Sequence, residues 1–246
     1  GCERDFDRVL ALADWVADNF PAGQHVRNYS PEYDIELMLA DKAAGAGFQC
    51  DELSAVFIQA ATSVGLVARG VSMQHKPGDG HAFAEVWLDD DRRWVVYDLL
   101  FDRYYIDATG PVSALYLKRK HDAGQTSDVD AMVASDSGRV RHRGGFEYAS
   151  RYLNSLLFNM RPNFAEREGI PVLHPEVNHV SGDVLWAGSS PTERIRARQV
   201  TDDSAYVYFP LNEVCVSVDT AYAAVGESAQ LLMRFSTETP AFDGFV

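Results

Sequence analysis

The chain has 246 residues, of which 46% are hydrophobic and 24% are charged, and its formal net charge at pH 7 is −14. This balance is that of a folded globular protein, and the length allows one large domain or two small ones. Because an acidic surface repels phosphate backbones and anionic lipids, we expect no nucleic-acid partner.

The first half of the chain predicts helices followed by strands. Apolar residues at helical spacing predict helices in 5–20, 31–45 and 50–65, the first of them ending before Pro21. Residues 66–74 are rich in apolar and β-branched side chains and predict a strand. Residues 81–88 and 93–100 flank the polar loop Asp89–Arg92 and predict a hairpin. The longest uncharged run, Leu53 to Ala68, is too short to span a bilayer, so we expect no membrane span.

The second half predicts a different organisation. Residues 126–145 are polar and predict a loop or linker, and 146–160 predict a helix. Five short apolar runs then predict a small antiparallel β unit, namely 183–188, 194–200, 204–210, 213–219 and 229–235. We therefore predict two domains, 1–125 and 126–246, with an uncertain boundary between them.

A glycine-rich turn, "AGAGFQC", leads directly into the third predicted helix at Cys50. A thiol attacks carbon well only as a thiolate, and a helix N-terminus, with roughly half a positive charge, favours the anion. Asp51 and Glu52 suit a helix start but oppose a thiolate unless they point away from it. A lone cysteine beside an apolar helix stripe is otherwise a small buried hydrophobe. Cys50 is therefore a candidate nucleophile that needs a basic partner.

The hairpin supplies a histidine and a carboxylate on one face. Side chains alternate along a strand, so His81 shares a face with Glu85, and Asp98 shares a face with Trp94. If Leu88 pairs with Arg93 across the four-residue loop, paired numbers sum to 181 and His81 is the diagonal neighbour of Asp98. If paired numbers sum to 179, the two residues are directly opposite, and only an odd loop length would separate them. Such neighbours lie about 5–8 Å apart, which an imidazole and a carboxylate can span. The hairpin pattern therefore predicts a His–Asp pair, but it does not bring Cys50 to it.

Together these segments resemble the transglutaminase-like superfamily. The resemblance lies in "GFQCDELSAVFIQAATSVGLVARGV", "HAFAEVWL" and "RWVVYDLL", within residues 44–100. It implies an α+β fold with a papain/transglutaminase-like core, in which helices pack on an antiparallel sheet, and a C-terminal β-rich extension. It also implies that Cys50 is the nucleophile, His81 the general base and acid, and Asp98 the residue that orients the imidazole. One departure is Leu99, where the family often has proline.

The resemblance further implies an oxyanion hole and a reaction. One donor would be the Cys50 backbone N–H, and the second an upstream side chain, for which Trp15, Gln24 and Asn28 stay open. We predict a cysteine-nucleophile enzyme that acts on a peptide or carboxamide bond of a peptide or protein through a thioester, with hydrolysis favoured over transfer to an amine. Two alternatives are a transglutaminase that crosslinks protein glutamines to amines, and a non-catalytic binding module that keeps the fold.

The remaining histidines and cysteines predict no further chemistry. The spacings of His75 with His81 and of His174 with His179 do not fit a helical zinc pair, and we expect neither a metal nor another cofactor. Cys215 alternates with valines and predicts burial. Two interpretations of Cys2 stay open: a lipid-anchored residue left by a lipoprotein signal, which favours a location outside the cytoplasm, or a vector-derived residue. Arg69 is interpreted as a structural or surface residue, and Glu85 as a packed strand residue.

Overall fold

The computed structural model describes residues 4–24, 27, 33–76, 79–134, 145–159, 165–167, 170–172, 181–189, 196–208, 215–219 and 232–236. The helices within these ranges are α1 (Asp5–Asn19), α2 (Ile35–Ala43), α3 (Cys50–Ser63), α4 (Ala114–Asp122), α5 (Phe146–Ser150) and α6 (Ser204–Val207). The strands within them are β1 (Val67–Lys76), β2 (Asp79–Leu88), β3 (Arg93–Asp98), β4 (Arg103–Asp107), β5 (Gly110–Pro111), β6 (Asp130–Val133), β7 (Ser155–Phe158), β8 (Ala165–Arg167), β9 (Ile170–Val172), β10 (Ser181–Trp186), β11 (Arg196–Thr201), β12 (Cys215–Asp219) and β13 (Leu232–Ser236).

The three N-terminal helices form where the apolar spacing predicts them. The apolar stripe of α1 is buried, and the helix ends at Asn19, two residues before Pro21. Asp34 caps α2 by accepting a hydrogen bond from the Leu37 amide at 3.0 Å. Helix α3 is apolar on most sides and packs against β1 and β2, so its side chains form the centre of the core.

A mostly antiparallel sheet provides the surface on which α3 packs. Among the described residues its strand order is β11-β10-β7-β1-β2-β3-β4-β5, with β6 also paired to β4. The pairs from β10 through β5 are antiparallel, and β10 and β11 are parallel to each other. The predicted α+β class, with helices packed on an antiparallel sheet, is confirmed. No helix in the described ranges has the length and apolar character needed to cross a bilayer.

A buried ion pair links this sheet to α4. Arg69 on β1 and Glu85 on β2 are 2% and 0% exposed, and the guanidinium donates two hydrogen bonds to Glu85 Oε2, at 3.0 and 2.8 Å. The other carboxylate oxygen accepts the Ala114 amide at the start of α4, at 2.7 Å. Both charges are therefore satisfied inside the protein, and Arg69 is structural rather than a surface residue.

The second half differs from the sequence prediction in four places. Asp130–Val133 form β6, paired with β4, inside the predicted loop 126–145. The helix predicted for 146–160 ends at Ser150, and Ser155–Phe158 instead form β7, because this apolar run pairs with β1 in the sheet. Strands β10 and β11 join the same sheet instead of a separate antiparallel unit. Residues 204–207 form α6 rather than a strand, with the Asp203 carboxylate accepting the Ala205 amide at 2.8 Å.

The chain divides into two compact units, Gly1–Asp202 and Asp203–Val246. The described part of the first contains the sheet and helices α1–α5, and that of the second contains α6 and the antiparallel pair β12–β13. The domains predicted at 1–125 and 126–246 stay a prediction, because nothing shows whether residues 1–125 fold and act alone. The sheet does continue past residue 125 through β6, β7, β10 and β11.

Candidate active site

The start of α3 is held by a close approach of two glycines. Ala22 and Phe48 form a parallel bridge, and the Gly23 amide donates to the Phe48 carbonyl at 3.1 Å. A Cβ atom on Gly47 would lie 2.5 Å from the Gly23 Cα, so no side chain fits at position 47. This packing of one backbone on another positions Cys50 as the first residue of α3. There its amide has no acceptor within the helix.

The two acidic residues after Cys50 are engaged by other groups. Glu52 accepts the Gln49 amide at 2.7 Å, as the N3 residue of a capping box does. The Tyr33 hydroxyl donates to Asp51 at 3.2 Å. Both carboxylates therefore stabilise the helix start through partners other than the thiol.

The hairpin brings His81 and Asp98 together as its register predicts. Leu88 pairs with Arg93 across a four-residue turn, and paired numbers sum to 181. His81 Nε2 donates to Asp98 Oδ2 at 2.9 Å, with both side chains almost fully buried. The predicted His–Asp contact is confirmed, whereas the catalytic role of the pair stays a prediction.

Cys50 lies close enough to the same imidazole for its charge and a side-chain hydrogen bond to raise the pKa of His81. Because Asp98 engages Nε2, Nδ1 is the ring nitrogen that remains for Cys50. One helical turn after Cys50, Ser54 donates a long hydrogen bond of 3.5 Å to the Ala82 carbonyl, which fixes this face of α3 against β2. Packing of α3 on the sheet thus brings the three predicted residues into one hydrogen-bonded line.

The electrostatics of the line favour a charged imidazole. Burial, the largest single influence, lowers the pKa of His81, but the charges of Asp98 and then Cys50, with hydrogen bonds from both, outweigh it and raise the pKa from 6.5 to about 10. A cationic ring hydrogen-bonded to a carboxylate is stable where a lone buried cation would not be. At neutral pH the arrangement therefore holds a proton on His81.

Two residues that the sequence did not single out complete the surroundings of Asp98. The Phe101 amide donates to Oδ1 at 3.2 Å, and the Tyr105 hydroxyl donates to Oδ2 at 3.3 Å. Burial, and then the charge of Asp98 and the hydrogen bond to it, raise the pKa of Tyr105 well above its ordinary value, so the phenol stays a donor. With His81, three donors hold the carboxylate in place.

Aromatic rings enclose the His81 imidazole. Phe83 meets the imidazole edge-on at 5.2 Å, Phe101 stacks on it at 5.0 Å, and Tyr152 lies tilted against it at 5.1 Å. His81 is 2% exposed and Cys50 is 7% exposed. Phe83 lies two residues from His81 on the same strand and therefore shares its face. Phe101 and Tyr152 come from other segments, and no local pattern signals their position.

The three candidates for the second oxyanion donor have different outcomes. Trp15 lines a cavity with Gln59 and Ser63, more than two helical turns along α3 from Cys50. Gln24 follows Gly23 beside the turn that leads into Cys50 and is exposed. Asn28 lies outside the described residues. Of the two described candidates, Gln24 is the one whose backbone runs beside the cysteine turn.

The described residues contain no group of three or more histidine, cysteine, aspartate or glutamate side chains arranged to hold a metal ion. His174 and His179 lie outside those residues, as does Cys2, and the side chain of Cys215 on β12 is not described. The expectations for these residues, including a lipid anchor, stay predictions.

A helix that begins at a cysteine and packs on a sheet carrying a His–Asp pair is an arrangement that cysteine-based acyl-transfer enzymes use. Residues 1–99 match the family model of the transglutaminase-like superfamily, a range that includes Cys50, His81 and Asp98. Residues 1–99 are thus similar to the transglutaminase-like superfamily, and the predicted resemblance is confirmed. Such domains usually perform cysteine-based acyl transfer or proteolysis. Comparison with curated proteins and with solved structures gave no match.

Proposed function

We propose that the protein is a cysteine hydrolase that cleaves a peptide or carboxamide bond, with Cys50 as nucleophile, His81 as general acid and base, and Asp98 as the orienting carboxylate. The observation that carries this proposal is the His81 ring, which is hydrogen-bonded to both Cys50 and Asp98 and has a pKa raised to about 10. An imidazolium beside the sulfur stabilises the thiolate that attack requires.

The first half-reaction forms a thioester. The Cys50 thiolate attacks the carbonyl carbon, and the carbonyl electron pair moves onto oxygen to give an oxyanion. When this intermediate collapses, the carbon–nitrogen bond breaks and the leaving nitrogen takes the proton from His81 Nδ1. The products of this step are a free amine, an acyl group on sulfur and a neutral imidazole.

The second half-reaction regenerates the resting state. Neutral His81 accepts a proton from water through Nδ1, and the water oxygen attacks the thioester carbon. The carbon–sulfur bond then breaks, which releases a carboxylic acid and returns the thiolate beside a protonated ring. Asp98 keeps Nε2 protonated throughout, because that N–H donates to its carboxylate.

The oxyanion would be held by the Cys50 backbone N–H and the Gln24 side-chain amide. The parallel bridge between Ala22 and Phe48 supports this assignment, because two residues further along each segment stand Gln24 and Cys50. The Gln49 side chain also donates to the Gly23 carbonyl at 2.5 Å, which fixes the segment that precedes Gln24. Loss of one such donor typically lowers kcat by about 10²–10³-fold.

Mass spectrometry of the intact protein with a pool of acylated peptides and carboxamides tests the proposal. We expect an acyl adduct on the peptide that contains Cys50, absent in Cys50→Ala, and products that take up one oxygen atom from H₂¹⁸O. Incorporation of an added primary amine in place of water would indicate the transglutaminase alternative. Equal turnover of the pool by the native protein and Cys50→Ala, with no adduct, would indicate the non-catalytic module.

A further inference from the structure

A short segment beyond the predicted core forms one wall of the site. Residues 145–154, which include α5 and the turn after it, carry Tyr148 and Tyr152. The Tyr152 ring lies 5.1 Å from the His81 ring, and Tyr148 meets edge-on, at 5.1 Å, the Phe101 ring that stacks on His81. We call Phe101, Tyr148 and Tyr152 the aromatic wall.

A guanidinium group lies on this wall. The Arg151 Cζ atom lies 4.0 Å from the Tyr148 ring centre and 4.6 Å from that of Tyr152, within cation–π range of both. Its Nη2 donates to the Tyr148 hydroxyl at 2.8 Å and to the Tyr152 hydroxyl. The Tyr152 ring thus contacts both the Arg151 guanidinium and the His81 imidazole. The two ring contacts and two hydrogen bonds of Arg151 hold its guanidinium in place.

The charge of Arg151 has no carboxylate partner in the described part of the chain. None of the ion pairs there includes Arg151, and although the charge of Asp79 acts on it, the two form no ion pair. The side chain is exposed, and its Nε and Nη1 atoms donate to no described acceptor. In a chain of net charge −14, this is an accessible cation held on a ring that contacts His81.

We propose that Arg151, held on Tyr148 and Tyr152, is a substrate subsite that binds a carboxylate near the bond cleaved at Cys50. This inference rests on the proposed function and names its substrate class, a peptide with a free carboxylate near the cleaved bond. A guanidinium held by aromatic rings binds a carboxylate with little loss of side-chain entropy. The carboxylate is either an acidic side chain or the C-terminus of a short peptide, since both present the same group.

The subsite is tested by binding in the Cys50→Ala background, where no turnover occurs. Three peptide pools differ in one feature: glutamate with an amidated C-terminus, glutamine with an amidated C-terminus, and glutamine with a free C-terminus. We expect one carboxylate pool to bind about 3- to 10-fold more tightly than the neutral pool, a difference of about 0.7–1.4 kcal/mol. The pool with the higher affinity shows whether the subsite binds an acidic side chain or a C-terminal carboxylate.

Substitution of Arg151 then tests whether this residue causes the preference for the carboxylate pool. Arg151→Gln should abolish it, Arg151→Lys should keep part of it, and added salt should weaken it. Arg119→Gln is the matched control, because Arg119 is also exposed and lies over an aromatic ring, that of Trp186 at 5.6 Å. The proposal is overturned if Arg151→Gln keeps the preference for the carboxylate pool, or if it lowers the affinity for all pools equally. It is also overturned if the Cys50→Ala protein shows no preference or binds none of the pools.

Kinetics of the native protein separate this proposal from the proposed function. With the subsite in place, Arg151→Gln raises KM for the carboxylate pool towards the KM for the neutral pool. Equal turnover of all pools by the native protein rejects the subsite and leaves the hydrolase. Charge-selective binding without any turnover rejects the hydrolase and leaves the subsite.

Discussion

The central feature at the scale of single residues is the charge of the His81 ring at neutral pH. A buried imidazole flanked only by apolar groups would lose its proton, but here Asp98 on one side and Cys50 on the other more than offset the cost of burial. The aromatic rings of Phe83, Phe101 and Tyr152 surround a ring that is charged, not neutral, and ring faces attract cations. The site is thus arranged around an imidazolium.

The raised pKa of His81 makes stability depend on pH in a defined window. Folding raises the pKa from 6.5 to about 10, so the charged ring contributes its full stabilisation below pH 6.5 and loses it as the pH rises to about 10. The contribution is at most on the order of 5 kcal/mol, because each unit corresponds to about 1.4 kcal/mol. The difference in unfolding free energy between the native protein and His81→Gln should therefore shrink from pH 6.5 to 10. A constant difference across that range contradicts the charged ring, and His75→Gln controls for loss of an exposed imidazole.

At the scale of elements, the cysteine is positioned by packing of backbone on backbone. Helix α3 begins where it does because Gly47 lies against Gly23 and the Phe48 main chain bonds to Pro21 and Gly23. These contacts come from segments about 25 residues apart in sequence, and they precede Cys50 directly. The position of Cys50 therefore depends on a junction outside the helix that carries it.

Replacement of Gly47 by alanine tests this junction. The added Cβ would lie 2.5 Å from the Gly23 Cα, so the two segments must separate. We expect a loss of about 1–3 kcal/mol in the free energy of unfolding, measured by urea denaturation, and slower alkylation of Cys50. Gly145→Ala is the control, because nothing lies within 4 Å of its added Cβ. An equal effect of both substitutions would show that the close approach does not position the helix.

The hairpin was predictable from the sequence, and the wall beside it was not. Loop length and side-chain alternation are local, so they predicted the register and the meeting of His81 with Asp98. Tyr105 and Tyr152 reach the site through the connections of the sheet, which no local pattern encodes. The apolar run of β7 fits a helix as well as a strand, and only its pairing with β1 decides between them. Local structure could therefore be predicted from the sequence, whereas contacts between distant segments could not.

On the scale of the whole molecule, residues on both sides of position 125 belong to one sheet and one site. Strand β7 pairs with β1 and β10 pairs with β7, so the strand next to His81 has neighbours from the second half of the chain. Tyr152 contributes a ring to the surroundings of His81. The transglutaminase-like match, by contrast, ends at residue 99. The second half of the chain therefore both covers the β1 edge of the sheet and forms part of the site wall.

Truncation tests this dependence. A fragment of residues 1–125 leaves the β1 edge unpaired and exposes the apolar side chains that β7 covers, so we expect it to aggregate or to unfold at a much lower temperature than residues 1–202. Thermal unfolding followed by circular dichroism measures the difference, and residues 1–202 are the control because they keep the first compact unit. A stable fragment 1–125 with unaltered Cys50 reactivity would support the predicted domain boundary instead.

The central claim is that His81 and Asp98 turn a mostly buried cysteine into a nucleophile, and the alkylation rate of Cys50 tests it most directly. An ordinary thiol has a pKa of about 8.5 and is almost entirely protonated at pH 6. Peptide-resolved mass spectrometry at pH 6 with iodoacetamide should show Cys50 reacting faster in the folded protein than in the urea-unfolded chain, and His81→Gln should remove this advantage. If folding instead protects Cys50, as it protects a cysteine that only fills the core, the account is contradicted.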